Sequence, residues 1–518
     1  MRKVMQQRPQ SRAGPKVRAC LPAPTDMHAP ASQRPRALPL LTRCAGLLLA
    51  LGLSACAQLG PRTSLPPELS SALQRVKLPE QALGLVAFPL ADRSAGWRVQ
   101  AETPMQPGSA MKLVTAIVAL DRLGANSRGR SDLLVDTPLQ GDVLPGALYL
   151  RGGADTDLDW GALWLMLRQL REQGVREIRG GLVVDRTLFR PARPELNAPP
   201  FDEAPEFPYN VIPDALMLNG GLLSYELSRE GSGPVHVRAS PAWPGLRFDT
   251  QAMGLNDKAC KDWGDDWRPP LVTPLSGGVE QWVQLQGSFP RDCRQTQALN
   301  LLDRQWLTEQ ALRQIWQELG GTLSGPSVEA ATPAGARVVA SHLGRPLAEV
   351  MRGAMKRSDN ALTRLVFLKL GSTVAGPEEE TQAAAARLVQ RWFAEKGLDA
   401  QGLVMDNGSG LSRSERIKPA QLADLLALAW EGRQAPELLD SLPIAGVDGT
   451  LSRRLKGGPA EGRARLKTGT LRNVVALAGY VQDSRNKPWV LVAIINDEQA
   501  PAKGRPVLDA AVEWISRQ

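Results

Sequence analysis

The run Ser109-Ala-Met-Lys-Leu-Val-Thr-Ala-Ile-Val-Ala-Leu120 decides how the rest of the chain is read. Nine of its twelve residues are apolar, and the three polar ones, Ser109, Lys112 and Thr115, recur at every third position. A helix apolar on nearly all sides is a buried helix, so its one polar stripe faces something inside the protein. Ser109 and Lys112 are neighbours on the first turn. Gly108 permits close backbone approach just before them, and the helix start supplies oriented N–H groups. Burial favours the neutral amine, and a neutral amine beside a hydroxyl is a general base beside a nucleophile. The spacing by itself is weak: Ser484-Arg-Asn-Lys487 repeats it in a polar stretch that reads as a hairpin loop.

Upstream of this helix, Leu83–Phe88 and Trp97–Gln100 read as strands, giving the order strand, strand, helix. The chain ends in the same order, with strands at Val475–Val481 and Trp489–Ile495 and a helix at Pro506–Ser516. Helices near 346–356, 360–370, 378–397 and 419–430 precede them. The stretch 131–332 has another texture: short alternating segments such as Ala147–Arg151, Gly181–Asp185, Val235–Arg238 and Gln281–Gln286 lie between Gly/Pro turns, with helices near 159–173 and 303–319. The pattern predicts a leader at 1–55 and one α/β domain in two pieces, 56–130 and 333–518, around a β-rich insertion at 131–332.

At 518 residues, 43% hydrophobic and 22% charged, the chain is globular and long enough for two or three domains. The formal charge of +9 is an effect of position. Residues 1–55 hold nine Lys/Arg and one acid, Asp26, which leaves 53 bases against 52 acids elsewhere. A body so nearly neutral has no global field for a polyanion, which argues against nucleic acid as a partner. Of three His, His28 lies in the leader. The remaining His236 and His342 argue against a His/Cys zinc site and against a Ser-His-Asp triad.

A basic, Pro-rich segment, then the apolar Ala45–Leu53, is the layout of an export signal too short to span a bilayer. It ends in Leu53-Ser-Ala-Cys56, which resembles a lipobox, with Cys56 as the acylated residue. Ordinary cleavage after Ala57 is the alternative, and Met27 is a second candidate start. Either route predicts a periplasmic protein, membrane-anchored if Cys56 is acylated. In an oxidising space Cys260 and Cys293 form the expected disulfide, against the alternative of two free buried thiols.

Two further motifs follow in order. Ser358-Asp-Asn360 lies between two helices, where a hydroxyl and an amide meet at a turn; alone it reads as a helix cap. Lys467-Thr-Gly-Thr470 leads into a strand, offering a cation and a hydroxyl beside Gly469 for a carboxylate. Around it Arg453, Arg454, Lys456, Arg463, Arg465 and Arg472 face one acid, Glu461, a local excess suited to an anionic peptide.

Ser109-x-x-Lys112, Ser358-x-Asn360 and Lys467-Thr-Gly469, in that order, resemble the three motifs of the penicillin-recognising serine acyltransferases. The long gap between the first two resembles the D-alanyl-D-alanine carboxypeptidase/endopeptidase family of penicillin-binding protein 4, as do Leu148–Gly153, Gly408–Arg413 and Gly446–Leu451. The resemblance covers essentially the whole chain after the leader. It implies a penicillin-binding protein/β-lactamase-like α/β fold, an antiparallel sheet flanked by helices with a helical subdomain, interrupted by the insertion. It also implies Ser109 as nucleophile, Lys112 as its base, Ser358 as proton donor to the leaving amine and Asn360 as holder of the acyl-side amide. Lys467 and Thr468 would bind the terminal carboxylate, and the N–H groups of Ser109 and Thr470 the oxyanion. Peptidoglycan stem peptides and cross-links would be substrates, β-lactams inhibitors, and no cofactor is implied.

Three departures stand out. Gly108 replaces the usual Ala, 190–210 matches poorly, and Asp155, Asp157 and Asp159 mimic a calcium loop in which Trp160 and Met166 replace the required Gly and Glu. That segment reads as a turn, with no metal site. A β-lactamase is the nearest rival: Arg193-Pro-Glu-Leu-Asn197 superficially resembles its deacylating segment, but Arg193 stands at the Glu position and the segment precedes Ser358. A lipoprotein that binds peptidoglycan without cleaving it is the rival from another class.

Overall fold

Five antiparallel strands bring the two ends of the chain together. Leu83–Pro89 pairs with Pro488–Asn496, with Leu85 opposite Ala493, and Pro488–Asn496 pairs in turn with Val474–Gln482. Ala464–Leu471 forms one edge and Trp97–Val99 the other. The computed structural model describes residues 61–518 other than 230 and 232, so the leader and Cys56 lie outside the described residues.

The central strands are apolar at successive positions, and successive side chains point to opposite faces, so both faces must be covered. Leu85, Leu477 and Leu491 share a buried cluster with Leu69 and Leu73 of helix Pro67–Val76 and with Leu508 and Val512 of helix Arg505–Ser516. On the other face Val86, Phe88, Val492 and Ile494 join Val114 and Val118 of helix Lys112–Arg122 and Leu422 and Leu426 of helix Pro419–Glu431. Every residue from Lys112 to Leu120 is buried, as the all-round apolar run requires. Helices Leu347–Arg357, Asn360–Ser372 and Thr381–Glu395 complete the helical part.

The intervening segment builds its own core from helices Trp160–Glu172 and Arg304–Glu318 against several small sheets. Its largest sheet has the order Ser327–Glu329, Leu182–Asp185, Leu148–Gly153, Arg130–Val135, Arg337–Leu343. Arg337–Leu343, beyond the expected insertion at 131–332, pairs antiparallel with Arg130–Val135 and so belongs to this sheet. A single strand's own residues do not say which sheet it joins; the register does. Among the described residues no helix is long and apolar enough to cross a membrane.

Cys260 and Cys293 are joined by a disulfide across 33 residues, with Cα atoms 5.2 Å apart, in a region of short strands. Closing that loop stabilises the folded insertion by about 3–4 kcal/mol in the chain-entropy picture. Cys293→Ser is therefore expected to lower the thermal midpoint, and reductant to lower that of the wild type alone. A midpoint indifferent to both would show that the bond adds nothing.

Candidate active site

The segment Gly108–Met111 is a 3-10 turn that becomes an α-helix at Lys112, where a single helix from Ser109 was expected. In a three-residue turn the side chains at i and i+3 eclipse. Lys112 Nζ accordingly lies 3.0 Å from Ser109 Oγ. Gly108 has φ +52°, and a Cβ built on it would sit 3.2 Å from the Thr470 nitrogen. Glycine at this position is a backbone requirement, since an L side chain is strained at that φ and would crowd the strand edge. Gly469 is equally constrained: its Cβ would lie 2.4 Å from the Pro107 carbonyl oxygen. The segment before Ser109 is pinned by Gln106, whose N–H donates to Asn496 Oδ1 at 2.8 Å and whose carbonyl accepts from Asn496 Nδ2 at 2.9 Å.

Lys112 is completely buried. Burial first, and the neighbouring Lys467 charge second, push its amine well below the usual lysine range. Besides Ser109, Nζ contacts Asn360 Oδ1 at 2.6 Å and the backbone carbonyl of Ser409. A neutral amine has two hydrogens and one lone pair. Two carbonyl oxygens that only accept take both hydrogens, which turns the lone pair toward the Ser109 hydroxyl. Thr115 Oγ1 donates to the Gly408 carbonyl at 2.7 Å. The polar stripe of the helix therefore faces the turn Asn407–Gly410.

Ser358 ends helix Leu347–Arg357 in the left-handed region, φ 60° and ψ 39°. The cap of the next helix is Asp359, whose carboxylate accepts the Leu362 N–H at 2.9 Å. Ser358 is thereby released from the capping role that the motif alone suggested, and a serine held at positive φ is strain of the kind found at functional sites. Its hydroxyl accepts from Lys467 Nζ at 2.8 Å. Lys467 also donates to the Thr468 carbonyl at 2.8 Å and is completely buried, which lowers its amine to about 7. Its amine lies beneath the surface against Ser358, and Thr468 Oγ1 is 2.9 Å from Thr450 Oγ1 in an exposed position. Asn360 links the site to the insertion, since Nδ2 donates to the Tyr209 carbonyl at 2.9 Å.

The three motifs thus converge, although more than a hundred residues separate each from the next. Several participants were not legible. The Ser409 and Tyr209 acceptors are backbone atoms, on which sequence is silent; the Gln106–Asn496 pair carries no motif, and Thr450 lies in Gly446–Leu451, to which no role was attached. Glu415, buried behind the Ser409 turn, had no signal at all. The cationic run 453–472 is partly spent inside the fold: Arg454 pairs with Asp509 at 2.6 Å and Arg463 donates to the Asp483 carbonyl. Asp155 accepts from Ser131 and faces His342 Nδ1 at 2.7 Å, Asp157 pairs with Arg345, and Asp159 caps helix Trp160–Glu172. An open cleft of about 820 Å³ lies beyond the outer side of the Ser409 turn, lined by Phe201, Asn210, Pro270, Arg364 and Arg413 among others.

The profile of the D-Ala-D-Ala carboxypeptidase 3 (S13) family matches residues 65–518. The D-alanyl-D-alanine carboxypeptidase of Actinomadura sp. (strain R39) is 28% identical over 469 residues, 86% of this chain and 84% of that protein. D-alanyl-D-alanine carboxypeptidase DacB of Haemophilus influenzae is 26% identical over 431 residues, 81% of this chain and 86% of that one. The crystal structure of penicillin binding protein 4 (dacB) from Haemophilus influenzae superposes with a TM-score of 0.71 at 22% identity, covering 87% of this chain and 99% of that one. A second structure of that protein, complexed with a β-lactam, superposes equally well. The fold is the expected one, and the chain belongs to the D-Ala-D-Ala carboxypeptidase 3 (S13) family of serine-type peptidases.

Proposed function

We propose that this hydrolase cleaves the terminal D-alanyl-D-alanine bond of peptidoglycan stem peptides, and D-alanyl cross-links in the same cleft, through an acyl-enzyme on Ser109. The observation that carries the reading is the Lys112 amine: buried, depressed below its usual range, and held by two acceptors with Ser109 at 3.0 Å. Ser109 Oγ attacks the carbonyl carbon as its proton passes to Lys112. The N–H groups of Ser109 and Thr470 receive the oxyanion, the preorganised term that dominates such sites. Thr470 lies on an edge strand and close to Gly108, which supports this pairing. Ser358, polarised by Lys467, delivers a proton to the departing amine, and Thr468 holds the terminal carboxylate. Water then releases the shortened peptide. A β-lactam would acylate Ser109 by the same path, and a related protein is known in complex with one. We also propose export to the periplasm, with anchoring by acylation of Cys56; the leader's charge pattern and the Cys260–Cys293 bond support it.

Intact mass after exposure to benzylpenicillin, followed by peptide mapping, tests the nucleophile. One penicilloyl adduct on the Ser109 peptide is expected, slow to disappear, and none with Ser109→Ala. Rapid consumption of the antibiotic without an adduct would favour a β-lactamase, and intact antibiotic without an adduct a non-catalytic binding protein.

Lys467 makes a separate prediction about stability. Its folded-state value of about 7 lies below the ordinary 10.5, so between these pH values the unfolded chain binds more protons. The penalty for burying it is therefore full below about pH 7 and shrinks as pH rises toward 10.5. Lys467→Met should be inactive yet unfold at a higher temperature than the wild type at pH 6, with the gap narrowing by pH 10. A gap that widens with pH would contradict the burial argument.

A further inference from the structure

Glu415 follows the Ser409 turn in sequence and sits behind it. Its side chain is completely buried, and Oε1 accepts three consecutive backbone N–H groups, of Asp406, Asn407 and Gly408, at 3.2, 3.1 and 2.7 Å. Oε2 is buried without a hydrogen-bond partner. Such a carboxyl is a poor choice for packing, because an unpartnered buried oxygen costs stability that an apolar side chain of similar volume would not. What it gains is a fixed turn. From that turn Gly408 offers its carbonyl to Thr115, and Ser409, whose own N–H donates to Asn407 Oδ1 at 3.1 Å, offers its carbonyl to Lys112.

We propose that Glu415 is a positioning residue: by clamping three successive N–H groups it holds the Ser409 carbonyl where it directs the Lys112 lone pair at Ser109. The inference rests on the reading of Ser109 as the acylated nucleophile. Glu415 touches neither Ser109 nor the strand that would bind substrate, so it acts on the base alone. Displacing the Ser409 acceptor would free one Lys112 hydrogen and let the amine rotate away from the hydroxyl. The charged groups around Glu415 are Lys112 and Arg364 on two helices and Asp406 on the turn. Burial, the largest cause, pushes its carboxyl up to about 7, so both protonation states occur near neutrality. Either state keeps Oε1 as an acceptor. Gln keeps the reach and the oxygen while removing only a charge that, beside the larger effects of burial and Lys467, raises the Lys112 amine, which makes it the conservative replacement and Asp, one methylene shorter, the disruptive one.

The test is the rate of Ser109 acylation by a fluorescent penicillin, resolved into the first-order acylation constant and the dissociation constant of the preceding complex. It is run on the wild type, Glu415→Gln, Glu415→Asp and Glu415→Ala, each checked for a cooperative thermal transition. Misplacing a catalytic group by a fraction of an ångström to 1 Å costs about 10- to 100-fold. Asp and Ala should lose that much in the acylation constant while the dissociation constant stays within about threefold, and Gln should stay within about threefold of the wild type in both. Should Ala fail to fold, Asp against Gln decides. Asp acylated as fast as Gln, or a loss that falls on binding instead of on the acylation constant, would overturn the proposal while leaving Ser109 as nucleophile. Failure of the wild type itself to be acylated would overturn the reading on which it rests.

Discussion

Two lysine amines lie in the buried interior between the main sheet and the helices, Lys112 and Lys467, and neither is exposed at all. Removing a cation from water is costly, and placing a second one nearby adds repulsion. The fold meets this by letting the amines lose their protons more easily and by surrounding them with oxygen acceptors: Asn360 and Ser409 around one, Ser358 and Thr468 around the other. The same arrangement that relieves the burial supplies a base and a polarised hydroxyl. Ser358 and Asn360 come from one turn and Ser409 and Thr468 from two others, so the position of the amines depends on several joints of the catalytic unit.

Those joints are backbone features. Gly108 and Gly469 let the turn before the helix press against the sheet edge, and the Asn496 side chain ties that turn to the central strand. Asp359 takes the cap so that Ser358 can be held at positive φ. The insertion contributes through Tyr209, whose carbonyl orients the Asn360 amide. The contact lies in the stretch where the sequence offered least to read, and Phe189, Val211 and Met217 pack nearby against Leu365 and Leu368 of the helix that Asn360 begins.

The architecture was legible because it follows from patterning. Apolar runs at both ends of the chain demand a sheet covered on both faces, and an all-round apolar helix carrying one polar stripe demands a buried site. The polar stripe on the buried helix was legible for the same reason, while Ser358-Asp-Asn360 and Lys467-Thr-Gly469 stood out only through their order and the resemblance it carries. The strand Arg337–Leu343 was not read from the sequence, and only its register with Arg130–Val135 assigns it to the insertion's largest sheet. That the Lys467 amine lies under Ser358 was set by tertiary packing, since a strand's alternation fixes which face a side chain takes but not what lies over it.

By itself the sequence determined the order of the three motifs, whose expected roles came from their resemblance to a known family, and the class of fold, because periodicity acts locally and the unfolded chain already contains it. Geometry was decided only by the tertiary structure. The direction of the Lys112 lone pair depends on an amide 248 residues away and on a main-chain carbonyl 297 residues away. The carboxyl that holds that carbonyl is an ordinary Glu in an unremarkable stretch, given its role solely by the three N–H groups that the folded turn aims at it. Every backbone has the same N–H and C=O groups, so no sequence pattern marks which of them will be brought to a reacting atom.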